Sequence, residues 1–121
     1  MATVYFDPTW TGTESGTFAQ PYVSWAGRSL GAGNRWLQKY GTTTTVICNP
    51  ATGGAAGNRG VIGVYDPLTG AQMNGIKGGA FIDATGQSTG VYIGTTKTYV
   101  TLTGFEIFGG TNYCVQKDST A

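Results

Sequence analysis

Residues 99–110 read Tyr-Val-Thr-Leu-Thr-Gly-Phe-Glu-Ile-Phe-Gly-Gly, and the fold turns on this stretch. Val100 and Leu102 alternate with Thr101 and Thr103, and Phe105 and Ile107 alternate with Glu106. Alternation of this kind gives a strand one buried and one solvated face. Leu102 and Ile107 are expected inside, Thr101 and Glu106 outside. The two alternations are out of phase by one residue, with Thr103-Gly104 at the break. A slip at a glycine marks a corner, after which a second strand buries a new set.

Looser versions of the pattern lie on either side. Gly60–Asp66, Gly79–Thr85 and Gly90–Gly94 read as short strands upstream, and Tyr113–Gln116 as one downstream. Ile62, Phe81 and Val100 stand nineteen residues apart, with glycine- or threonine-rich corners between the strands. A repeating unit of short strands and corners fits a solenoid, whose units bury a face only by stacking. An ordinary β-sandwich also shows short, regularly spaced strands. On pattern alone both remain open.

The composition points to an all-β chain. Of 121 residues 21 are glycine and only 11% are charged, which suits many corners and β-branched strand faces. The length allows a single domain, residues 1–121. A net charge of +1, with basic residues scattered and never in a run, gives no broad attraction to nucleic acid. Nor does any apolar stretch approach a membrane span. Near Met1 the chain runs straight into strand-like Thr3–Phe6, without the basic and apolar regions of a signal peptide. Cys48 and Cys114 each sit in an apolar strand pattern and are expected to be buried free thiols, although their spacing also allows a disulfide.

Taken in order, Val4–Phe6 is a first strand closed by Asp7-Pro8. Residues 9–20 form a polar loop with Trp10 and Phe18 as anchors. Pro21–Leu30 is the helix candidate: Pro21 suits a first helical position, Tyr22, Trp25 and Ala26 would share a face, and Gly31 would stop it. Strands follow at Trp36–Lys39 and Thr42–Cys48. The glycine spacing at Gly54, Gly57 and Gly60 lacks the strand-to-helix setting of a dinucleotide site. Pro67–Gly79 is an excursion with a tight turn at Met73-Asn74-Gly75.

This order of segments resembles the N-terminal part of the right-handed parallel β-helix proteins, the pectate-lyase-like superfamily of polysaccharide lyases and phage tailspikes. The matching stretches are V-Y-F-D-P, G-T-F-A-Q-P-Y-V-S-W, G-N-R-W-L-Q-K-Y-G-T-T, I-G-V-Y-D, A-F-I-D-A-T and Y-V-T-L-T-G-F-E-I. They cover nearly all of the chain, with Asn34 standing where an aspartate is common. The resemblance implies a first strand, loop and short capping helix over residues 1–33, and the first β-helix rungs over 34–121. Relatives continue for many more rungs.

Catalytic chemistry is thin. The chain has no histidine, which excludes a serine–histidine–acid triad and a histidine-rich zinc site. Two carboxylates about 5–10 Å apart serve glycoside hydrolysis, and Asp83 with Glu106 is the pair to weigh, both outward-facing and on consecutive coils. Their plain alternative is a solvated face that blocks edge pairing. The lyases' site lies on middle rungs that this sequence does not contain, so no catalytic, cofactor or metal position is carried over, and no cofactor is implied. Tyr92, Tyr99 and Tyr113 are candidate glycan or partner contacts, since an aromatic face stacks on sugar rings. The expected function is a virion structural or receptor-facing, tailspike-like β-helix protein, non-catalytic by itself. Its expected partners are copies of itself or other virion proteins, with polysaccharide as ligand. Virion proteins assemble in the host cytoplasm without an export signal; a secreted location goes with the alternatives, the truncated start of a polysaccharide lyase or hydrolase and a carbohydrate-binding module. After Tyr113–Gln116 only five polar residues follow, so the last rung is expected to be covered by another subunit or by further sequence.

Overall fold

A computed structural model describes residues 2–76, 78–94 and 99–117. It is all-β: nine short strands and no helix occur among the described residues. They are β1 (Thr3–Phe6), β2 (Arg35–Lys39), β3 (Thr43–Thr44), β4 (Gly60–Tyr65), β5 (Ala80–Asp83), β6 (Val91–Ile93), β7 (Val100–Leu102), β8 (Phe105–Phe108) and β9 (Val115–Lys117). Every pairing between them is parallel. The strands form three sheets, ordered β1-β2-β4-β7, β3-β5-β8 and β6-β9, and an isolated parallel bridge from Cys48 to Val91 extends the third. From β2 onward the chain therefore visits first, second and third sheet in rotation, and does so three times.

Registers align the inward side chains in rows. Val4, Trp36, Ile62 and Leu102 are partners across the first sheet, Thr44, Ile82 and Ile107 across the second, and Cys48, Val91 and Val115 across the third. Between the sheets these rows meet as one core. The core is aromatic at its start. Trp25 and Trp36 stack at 6.2 Å, and Phe6 meets both edge-on. Parallel strands must be joined by long connections, and the loops of this chain supply them.

The corner at Thr103-Gly104 is where the phase slip places it. Gly104 adopts φ +86°, and a Cβ there would lie 3.0 Å from Val64 Cγ2, so glycine is required on both counts. On β8, Glu106 and Phe108 are exposed, with Phe105 and Ile107 half-buried against the core. β7 keeps no such contrast: Val100, Thr101 and Leu102 are all half-buried, because this strand borders the open end of the core. The Thr42–Cys48 strand shortens to Thr43–Thr44, and the last strand begins at Val115 rather than Tyr113. The nineteen-residue spacing is not the repeat. Ile62 and Val100 belong to the first sheet and Phe81 to the outer face of the second, and real partners stand about 25 to 40 residues apart.

Pro21–Leu30 is not a helix. Tyr22 bridges Phe6 as a short strand extension: its N–H donates to Tyr5 O, and its carbonyl accepts from Asp7 N–H. A helix starting at Pro21 would need that carbonyl for the N–H four residues further on. Gly27 takes φ +72°, and Ser24 competes for backbone partners, its hydroxyl accepting from Ala26 N–H and its carbonyl from Arg28 Nε. The segment still covers the core, with Trp25 and Leu30 fully buried. It also covers part of an edge, since Tyr22 holds the Tyr5 carbonyl and the Asp7 N–H on the side of β1 away from β2, where Gly16 upstream accepts from Tyr5 N–H.

Cys48 is buried, and burial pushes its thiol up in pKa. Cys114 is exposed, contrary to expectation, and both are free. Cys48 N–H donates to Gly90 O and Gly90 N–H to Cys114 O, so the cysteines stand two strand spacings apart, about 9–10 Å. That exceeds the span of a disulfide.

Candidate functional site

The outer face of the second sheet carries the paired carboxylates. In β5 the inward residues are Ala80 and Ile82, which turns Phe81 and Asp83 outward. In β8 the outward residues are Glu106 and Phe108. The register sets Phe81 beside Glu106 and Asp83 beside Phe108. Aromatic rings and carboxylates thus alternate across two adjacent strands. Asp83 and Glu106 are diagonal neighbours on consecutive circuits, with Cα atoms about 8 Å apart from the strand spacing.

Asp83 is pinned. Its Oδ1 accepts the Thr85 hydroxyl at 2.6 Å and the Thr85 N–H at 3.0 Å, and these two bonds hold its carboxyl below the usual carboxylate range. A glycosidase acid needs the opposite displacement, because it must keep a proton at neutral pH. Asp83 is an acceptor.

The three tyrosines do not join this pair. Tyr92 lies on β6 in the third sheet, paired in register with Gln116. Tyr113 is exposed at the corner before β9, its N–H donating to Ser88 O. Tyr99 is exposed just before β7, with the Arg59 guanidinium 6.0 Å from its ring centroid. Of the five expected contacts, only Asp83 and Glu106 share a face. Phe81 and Phe108 belong to that face and were missed, although the signal was present: Phe81 shares parity with Asp83, and Phe108 with Glu106. Arg59 left no signal, because its loop places it by long-range packing alone.

Two other features lack reactive chemistry. Asp7 is buried and paired with Lys39 Nζ at 3.2 Å, while Thr9 donates to it from both N–H and hydroxyl. Burial raises its pKa, but the bonds from Thr9 and Lys39 outweigh this and leave it lowered. Both carboxylate oxygens are engaged inside the protein, as a structural pair requires. An open groove of about 640 Å³ runs between Ala26-Gly27 and Thr45–Ala51, and no ionisable side chain lines it. Among the described residues no three His, Cys, Asp or Glu side chains come together as a metal site would need, and no helix is long and apolar enough to cross a membrane.

No family model, curated protein or solved structure matches this chain.

Proposed function

We propose that the chain forms the start and first rungs of a right-handed parallel β-helix and serves as a tailspike-like virion component, structural or receptor-facing. It does not depolymerise glycans by itself. The observation that carries this reading is the strand order: consecutive strands pass through three parallel sheets in rotation, each pairing in register with the circuit before. Crossovers between parallel strands are right-handed as a rule. The partly covered edge of β1 supports the same reading, since a stack of rungs needs a closed first end.

The alternation of Phe81 and Phe108 with Asp83 and Glu106 supports glycan engagement on the second sheet. Rings offer apolar faces to sugars, and carboxylates accept from hydroxyls. Partners are copies of the chain or neighbouring virion proteins. Purified protein incubated with pectin, alginate and capsular polysaccharides should release no unsaturated or reducing ends. Affinity electrophoresis on the same panel should show retardation that Phe108→Ala weakens at least about fivefold. Release of ends, abolished by Asp83→Asn or Glu106→Gln, would move the assignment to a lyase or hydrolase. Absence of retardation by every glycan would remove the receptor-facing role.

A further inference from the structure

The tryptophan N–H groups are not treated alike. Trp10 donates to Thr13 O at 3.0 Å and Trp25 to Val46 O at 3.3 Å. Trp36, only 1% exposed, has a buried indole N–H with no acceptor among the described residues. A buried indole N–H ordinarily finds one, because leaving it dry forfeits its bond to water. Trp36 also lines a hollow of about 320 Å³, together with Val4, Tyr22, Gly27, Arg28 and Ser29. Val4 and Trp36 are register partners on β1 and β2, and Gly27, at φ +72°, turns the covering segment beside them.

Arg28 is held from three sides. Its carbonyl accepts from Ala51 N–H, its Nε donates to Ser24 O at 2.7 Å, and its guanidinium lies 3.3 Å from the centre of the Tyr22 ring. Both terminal nitrogens are left without a partner among the described residues. They form a side of the planar fork that a carboxylate takes with two bonds. No acid of the protein takes it: the only ion pair among the described side chains is Lys39 with Asp7, and Glu14 Oε1 accepts from Val23 N–H instead. Nor does any acidic side chain line the hollow.

We propose that this hollow binds a small carboxylate, held by the Arg28 fork, with one oxygen also accepting from the Trp36 N–H and a short apolar body against Val4. A fixed cation and a dry donor in one hollow call for an acceptor that carries negative charge. The planar fork suits a carboxylate better than a phosphate, whose further oxygens would lie undonated against Val4 and the Trp36 ring. The volume is at the small end for ligand sites, which suits an acid of a few carbons. Because Arg28 is already fixed, little conformational freedom is lost on binding. The site lies apart from the glycan face of the second sheet and does not depend on a virion role.

NMR of the whole nitrogen-15-labelled chain tests this, with butyrate as the probe at constant ionic strength. The Trp36 indole signal, recognised through its register partners Val4 and Ile62, should move downfield and saturate in the millimolar range, as suits so small a ligand. The Trp10 and Trp25 signals should stay in place, because their protons are already held. Butyramide, of the same shape without the charge, should bind at least about tenfold more weakly, and Arg28→Gln should cost butyrate a similar factor. Arg28→Lys, which keeps the charge without the fork, should lose at least about threefold. The butyramide comparison needs no variant, so it decides the matter independently of how the variants fold. No saturable shift of Trp36 at about 0.1 M butyrate, equal response to butyramide, or equal movement of all three indole signals would each overturn the proposal. So would butyrate binding unchanged in both Arg28 variants, or tighter binding of inorganic phosphate than of butyrate.

Discussion

Asp7 shows how one buried carboxylate is made tolerable: Thr9 closes a local turn onto one oxygen, and Lys39 meets the other from β2. The folded pKa is lowered, so the ionised form favours the fold. That contribution is complete above the unfolded value of about 3.9 and fades as pH falls through the lower folded value. Asp7→Asn should cost about 1–2 kcal/mol near neutrality, discounted for the partly exposed lysine. The difference from wild type should vanish in acid, as urea titrations at several pH values will show. The cysteines offer a second test at this scale. Cys114 should react with a thiol reagent in the native protein, whereas Cys48 should react only on unfolding, because its thiol is inaccessible and its pKa is raised.

At the scale of the element, Pro21–Leu30 separates local preference from tertiary demand. Its proline, its aromatic spacing and the stop at Gly31 are all helical signals, yet the backbone of Tyr22 is spent on the β1 edge. Gly27→Ala distinguishes the two states. In an exposed helix interior it would stabilise by about 1 kcal/mol. At φ +72°, with open space around the position, only backbone strain is felt, and it should destabilise by about 1 kcal/mol. A gain in denaturation midpoint would mean that the segment is helical after all. Trp25 is the residue this irregular path delivers, and it fills the space above Phe6 and Trp36.

Across the whole molecule, burial grades from a closed aromatic end to an open one. The equivalent inward residues Ile62 and Leu102 are register partners, yet only Ile62 is fully buried. Ile62→Ala should therefore cost about 2–5 kcal/mol, and Leu102→Ala about 1–2, because a half-exposed side chain loses less on truncation and leaves no closed cavity. Equal costs would mean that the end is sealed. Hydrogen exchange should follow the same gradient, slowest in β2 and β4 and fastest in β7 to β9, where among the described residues each strand pairs on one side only.

The sequence alone determined what depends on neighbours in the chain. Glycine, threonine and alternation specified short strands; the phase slip located the corner at Gly104; and parity turned Asp83 and Glu106 outward. These are consequences of side-chain period and of left-handed backbone, both local. The tertiary structure decided which strand lies beside which, and so everything that depends on pairing. It set the true repeat in place of the nineteen-residue spacing. It took Tyr22 for an edge rather than a helix, set Phe81 beside Glu106 on the outer face of the second sheet, exposed Cys114, and brought Arg59 beside Tyr99. Parallel strands meet only through long connections, and no local preference encodes the register at which two distant segments bury most apolar surface.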